Sequence, residues 1–221
     1  MIPHVHEDAQ EMACAVAGRI ANLATEAIAA RGVFRLVLAG GETPRLCYKA
    51  LAGMDVDWKH VQVYFGDERC LPLGDANRND SMARDALISH VQIPKENVHA
   101  IMTEFGAEEA AARYMLVLDG IRLDLILLGM GEDGHTASLF PGSTANTEAA
   151  VIPVHDAPKP PKDRVSLGIS TINAARAKLF MVSGEGKRLA LERILRGEKL
   201  PAAQVAGAEW HVDRAALPEK T

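Results

Sequence analysis

Apolar residues along the chain fall into two alternating patterns, stripes spaced by three or four and short unbroken runs. Met12, Val16, Ile20, Leu23 and Ala27 share one stripe between Asp8 and Arg31, which predicts a long amphipathic helix that Gly32 stops. Val33 to Ala39 predicts a strand, and Gly40-Gly41-Glu42-Thr43-Pro44 a loop opening a helix through Leu46 and Leu51, with Pro44 at its first position. Val61 to Gly66 is a second strand and ends in Asp67-Glu68-Arg69. After the polar stretch Leu71 to Arg78, Asn79 or Asp80 is placed to cap a helix through Met82, Ala83, Ala86 and Leu87. Val98 to Met102 is short and extended, and Gly106 to Asp119 carries Ala110, Tyr114 and Leu118 on a helical stripe.

The run Leu123 to Leu128 is apolar except for Asp124 and breaks at once into Gly129, Gly131 and Gly134, the pattern of a buried strand entering a tight turn. A short helix is expected next, entered at Asp133 and ended by Pro141-Gly142, which puts His135 in its first turn. Ser143 to Lys162 is loop-rich, with Pro153, Pro158, Pro160 and Pro161 opposing regular structure, and loops of that length tend to be lids or binding segments. Arg164 to Ser170 and Lys178 to Ser183 predict strands, Gly184-Glu185-Gly186-Lys187 leads into a helix through Leu189, Ile194 and Leu195, and Gln204 to Leu217 closes the sheet with Trp210 and Val212. Repeated strand, glycine turn and helix units predict an α/β chain: a three-layer, Rossmann-like fold with a mostly parallel central sheet flanked by helices. One domain over residues 1–221 is expected, with a small C-terminal subdomain as an option.

Composition narrows this picture. With 221 residues at 48% hydrophobic content the chain can bury a full core. Met1 to His6 lacks the make-up of a secretory signal and no 18-residue apolar stretch occurs, so a cytoplasmic address without a membrane partner is expected. The three cysteines, Cys14, Cys47 and Cys70, are widely spaced and form no CxxC pair, so neither a disulfide framework nor a zinc knuckle is expected. A net charge of −5 with 5% aromatics and no basic run argues against nucleic acid as a partner. A monomer or weak homodimer is expected.

The candidate chemistry sits where strands end. The Gly40-Gly41 loop lets backbone N–H groups approach a phosphate at a helix N-terminus, although such turns are also glycine-rich for steric reasons alone. Asp67 and Arg69 follow a strand of the same kind and so reach the same sheet edge. Lys187 at a helix start opposes the helix dipole, a poor choice for stability and a sensible one beside an anion. Gly129 to Gly134 satisfies GxGxxG, yet Glu132 and Asp133 would lie against a pyrophosphate, where two like charges at ~4 Å cost about 4 kcal/mol. No acidic residue stands in the ribose position either, since Val151 to His155 carries none. No GxSxG elbow is present, and His4 and His6 without a spaced third ligand read as a solvated tail, not a metal site.

GGETP (40–44), GDER (66–69), GMGEDGHTASLFPG (129–142), RVSLGIS (164–170) and GEGK (184–187), in this order, resemble the 6-phosphogluconolactonases, within the superfamily that includes glucosamine-6-phosphate deaminase. The resemblance implies hydrolysis of 6-phospho-D-glucono-1,5-lactone to 6-phosphogluconate in the oxidative pentose phosphate pathway, with no metal or organic cofactor. It implies His135 as the general base, Asp133 and Asp67 as orienting carboxylates, and N–H groups of the turn at an oxyanion. It also implies a phosphate site made by Gly40, Gly41 and Thr43 with Arg69, Arg164 and Lys187. Arg164 begins its strand and reaches that edge only if the strand runs antiparallel; otherwise it forms an exposed ion pair with Asp163. The deaminase branch differs by a carboxylate just before the proline, where this chain has Phe140, which cannot shuttle a proton. Glu42 in the phosphate loop is a departure that requires it to point away or pair with Arg45. A non-catalytic sugar-phosphate sensor on the same fold is the alternative of another class.

Overall fold

The computed structural model describes residues 2–143 and 149–218. Nine strands are formed among them: β1 His4–His6, β2 Phe34–Leu38, β3 Val61–Phe65, β4 Asp67–Arg69, β5 Leu125–Gly129, β6 Val151–Val154, β7 Arg164–Leu167, β8 Ala177–Val182 and β9 Glu209–Asp213. The helices are α1 Ala9–Arg31, α2 Glu42–Leu51, α3 Asn79–Ala86, α4 Ala107–Val117, α5 Ile169–Ala174 and α6 Arg188–Leu195. Six strands form a parallel sheet in the order β1-β9-β8-β5-β2-β3, flanked by helices. Its central strands are buried on both faces, which is why they read as unbroken apolar runs.

Local chemistry fixes the first helix as its stripe requires. Asp8 Oδ1 accepts the N–H groups of Gln10 at 2.9 Å and Glu11 at 2.8 Å, and Gly32, at φ 73°, closes α1 in the left-handed region. Met12, Val16, Ile20 and Ala27 are buried and Leu23 is half-buried. α2 begins two residues earlier than Pro44 suggests, so proline occupies the third helical position, still within the turn whose N–H groups have no intrahelical acceptor.

A second, antiparallel sheet in the order β4-β7-β6 comes from the middle of the chain, whereas the C-terminal strands β8 and β9 complete the main sheet and form no subdomain. β6 lies inside the stretch read as loop. Pro153 is tolerated because β6 is an edge strand, where a missing N–H breaks no ladder on the open side. The other described residues of that stretch, His155 to Lys162 among them, are irregular, and residues 144–148 lie outside those described. The strand expected over 164–170 ends at Leu167, and α5 takes over from Ile169.

Two further expectations are corrected. No helix follows β5: Gly134 (φ 84°), Ala137 (φ 48°) and Gly142 (φ 73°) turn the backbone the wrong way for one, and residues 131–142 form a chain of tight turns. His4 and His6 are no solvated tail but part of a parallel edge strand on β9, with His6 Nε2 3.0 Å from His211 Nδ1. Among the described residues no cluster of three His, Cys, Asp or Glu side chains is disposed to hold a metal ion.

Candidate active site

β2 has β3 on one side and β5 on the other, so the connections leaving β2 and β5 diverge and open a crevice at their C-terminal ends. The register pairs Leu36 with Leu125 and Val37 with Ile126, which brings Gly40 and Gly129 level as the two chains leave the sheet. A cavity of about 380 Å³ lies there. Gly40, Gly41 and Thr43 line it from the first loop, Gly131 and His135 from the second, Asp67, Arg69 and Arg164 from the antiparallel sheet, and Lys187 from the turn before α6.

Asp133 is the one candidate off the lining, and it stands behind the His135 ring. Its Oδ1 accepts from His135 Nδ1 at 2.5 Å and from the His135 N–H at 3.1 Å, so a carboxylate two residues earlier fixes the ring through a local turn. Burial pushes the Asp133 carboxyl up, but the His135 N–H, its charge and the ring bond together hold it below the usual range. A carboxylate on Nδ1 makes that nitrogen the N–H donor and leaves the Nε2 lone pair for the cavity. A Cβ at Gly131 would fall 2.0 Å from His135 Nδ1, so only glycine admits this pair. The Phe140 ring tilts over His135 at 4.7 Å between centroids and stands 5.6 Å from Arg164 Cζ. The turn's Gly131 and Gly134 N–H groups are engaged, on His135 O at 2.9 Å and Gly131 O at 3.0 Å, so neither is free for an oxyanion.

Asp67 is buried and braced on both oxygens: Asn79 Nδ2 donates to Oδ1 at 2.9 Å and Ser138 Oγ to Oδ2 at 2.6 Å. Asn79 fills the space a Gly40 side chain would need, with Oδ1 2.0 Å from that Cβ position. Glu68, between Asp67 and Arg69 on β4, is fully buried. Its carboxylate accepts the N–H groups of Arg69 at 2.8 Å, Asn79 at 2.7 Å and Asp80 at 2.8 Å, and so caps α3 from β4, a role that neither Asn79 nor Asp80 plays. Burial pushes the Glu68 carboxyl up to about 7 against the downward pull of those three bonds.

The cations converge from separate elements. β7 runs antiparallel to β4, which carries Arg164 to the cavity opposite Arg69. Arg164 is only 7% exposed, donates to the Pro161 and Lys159 carbonyls at 3.2 and 2.9 Å, and has no carboxylate partner among the described residues. Burial, opposed by Asp67 and aided by Arg69, lowers its pKa. Asp163 pairs instead with His155 at 2.7 Å. Lys187 is half-buried, and burial lowers its pKa despite the attraction of Glu132. Its turn is held by buried Asp213, which accepts from Ser183 Oγ at 2.5 Å and the Gly184 N–H at 3.1 Å. Glu42 is exposed and paired with Arg45 at 3.3 Å. Sequence reasoning missed Asn79, Ser138, Lys159 and Asp213, which announce themselves only by contacts with other segments of the same chain; Ser138 alone lay in a quoted motif.

The sequence profile of the family described as glucosamine-6-phosphate isomerases/6-phosphogluconolactonase matches residues 7–213. The 6-phosphogluconolactonase of Streptomyces coelicolor is 37% identical over 242 aligned residues, spanning 97% of this chain and 93% of that protein. The human 6-phosphogluconolactonase is 37% identical, spanning 96% of this chain and 91% of its own length. The crystal structure of 6-phosphogluconolactonase from Thermotoga maritima superposes with a TM-score of 0.89 at 30% identity, covering 96% of this chain and 99% of that one. A monomeric glucosamine-6-phosphate deaminase, 22% identical with a TM-score of 0.86, shares the fold.

Proposed function

The chain belongs to the family of glucosamine-6-phosphate isomerases and 6-phosphogluconolactonases, and from that premise we propose that it hydrolyses 6-phospho-D-glucono-1,5-lactone to 6-phospho-D-gluconate, in the oxidative pentose phosphate pathway. The observation that carries this reading is His135, held from behind by Asp133 at 2.5 Å, lining one cavity with Arg164, Arg69 and Lys187. An imidazole held through Nδ1 presents a basic nitrogen at one end of a site whose cations suit a phosphate.

In the proposed reaction Nε2 of His135 takes a proton from water as its oxygen bonds to C1 of the lactone. The C1–O5 bond then breaks, and the imidazolium returns the proton to O5, leaving a carboxylic acid that ionises. A positioned general base contributes roughly 10²–10⁴-fold. Asp133 stabilises the imidazolium between the two steps, and Asp67, braced by Asn79 and Ser138, orients the sugar hydroxyls. The 6-phosphate lies on the Gly40 to Thr43 loop, against the N-terminus of α2, which no side chain caps, with Arg164, Arg69 and Lys187 around it. Phe140, packed on the His135 ring, offers no proton to open an amino sugar, so the lactonase branch is favoured.

The test generates the lactone in situ with glucose-6-phosphate dehydrogenase and follows NADPH from added 6-phosphogluconate dehydrogenase. Acceleration above spontaneous hydrolysis is expected, with a kcat loss of about 10²–10⁴-fold in His135→Ala and unchanged thermal stability. No acceleration by folded protein, or equal rates for the two proteins, rejects the proposal.

A further inference from the structure

Glu132 is the residue of the GMGEDG turn to which the proposed chemistry gives no part, yet its carboxylate occupies the cation side of the cavity. Its Oε2 lies 3.6 Å from Lys159 Nζ. Its side chain also lies over the turn that carries Lys187: a Cβ on Gly186 would meet Glu132 Oε1 at 3.3 Å and Cγ at 3.5 Å. Glu132, Lys159 and Lys187 all line the cavity, and the backbone of Lys159 is tied to Arg164, whose Nη2 donates to the Lys159 carbonyl at 2.9 Å. A carboxylate thus stands among the cations that a substrate anion would use.

The pair it makes is displaceable. Glu132 and Lys159 are 63% and 79% exposed, and ion pairs of that kind hold weakly. A phosphate monoester carries about 1.5 to 2 negative charges near neutral pH, more than one carboxylate, and adds three acceptor oxygens. We propose that Glu132 is an internal counter-anion that engages Lys159 and screens Lys187 in the empty cavity, so that a phosphorylated ligand binds by displacing it and recruits both lysines. Glu132 is then a specificity residue, setting how strongly anionic a ligand must be to enter, and Lys159 is a further phosphate-binding cation. This assignment rests on the reading of the cavity as a sugar-phosphate site.

The first probe is inorganic phosphate, titrated calorimetrically at low ionic strength into wild type, Glu132→Gln, Lys159→Ala and the double variant. Glu132→Gln is expected to bind phosphate about three- to tenfold more tightly, the effect of removing one like charge from a partly solvated site, while Lys159→Ala binds it more weakly. The Lys159→Ala penalty should be larger in the Glu132→Gln background, because Glu132 no longer occupies that lysine. In the lactone assay Glu132→Gln should lower KM with kcat kept. Unchanged or weaker phosphate binding by Glu132→Gln, or the same Lys159→Ala penalty in both backgrounds, overturns the proposal, as does the absence of phosphate binding in all four proteins. Tighter phosphate binding without lactonase activity would keep this inference and reject the proposed reaction. Lactonase activity with phosphate affinity indifferent to Glu132 would do the reverse.

Discussion

Single residues at this site are placed by very short-range constraints. Gly131 lies so close under the Asp133–His135 pair that a methyl group there would strike the ring, and Asp133 fixes its partner across two residues of chain. Lys187 is governed by its surroundings instead: burial lowers its pKa, so it sheds its proton at a lower pH than an ordinary lysine. The sign follows directly. As pH rises through that lowered value the cation is lost, and phosphate affinity should weaken earlier on the alkaline side than an unperturbed lysine would cause. Lys187→Arg, whose guanidinium stays charged, should remove that alkaline fall, measured as the Kd for inorganic phosphate against pH. A fall of the same shape in Lys187→Arg would assign it to another group. His135 and Lys187 were legible in the sequence because each sits beside glycines at a strand end. Asn79 was not, because nothing in the stretch around it indicates that its side chain braces Asp67 twelve residues earlier.

At the scale of elements, one carboxylate joins the two sheets' neighbourhoods. Glu68 alternates with Asp67 and Arg69 on β4, so when those two face the cavity it points inward, where the uncapped N-terminus of α3 meets it. That explains why Asp67-Glu68-Arg69, three charged residues in a row, form a short, largely buried strand. Glu68→Gln keeps the shape but turns an amide N–H₂ toward backbone donors, and the loss is expected at about 1–3 kcal/mol, read from the shift of the urea midpoint. Because Asn79 is the first residue of α3, the same variant should also lose kcat/KM, whereas an unchanged midpoint would remove Glu68 from this role. The helix expected after β5 fails for a related reason. Asp133, expected to cap it, instead accepts the His135 N–H in a turn, and three positive φ values after it forbid a helix.

For the whole molecule, the site follows from strand order. The crevice between β2 and β5 exists because successive connections leave the sheet in opposite directions, and the antiparallel β4-β7-β6 sheet then supplies Asp67, Arg69 and Arg164 to one of its walls. Core residues of the main sheet, the antiparallel sheet and the helices between them form one contiguous apolar cluster. We therefore propose that the chain unfolds as a single cooperative domain. Calorimetry should give one transition with equal calorimetric and van't Hoff enthalpies, and two separable transitions would assign the antiparallel sheet its own stability. No helix among the described residues is long and apolar enough to cross a membrane.

The amino-acid sequence by itself determined the α/β alternation, the limits of α1, the central strands and the motifs from which the family was recognised and His135 was put forward. These depend on periodicity, capping and glycine, which act over a few residues and are written in the local order of side chains. The tertiary structure alone decided the strand order, the antiparallel course of β7 that brings Arg164 to the cavity, the inward turn of Glu68, the edge strand β6 and the approach of Glu132 to Lys159. Those contacts join residues far apart in the chain, and their energies come from burial and pairing that exist only once the sheets have assembled.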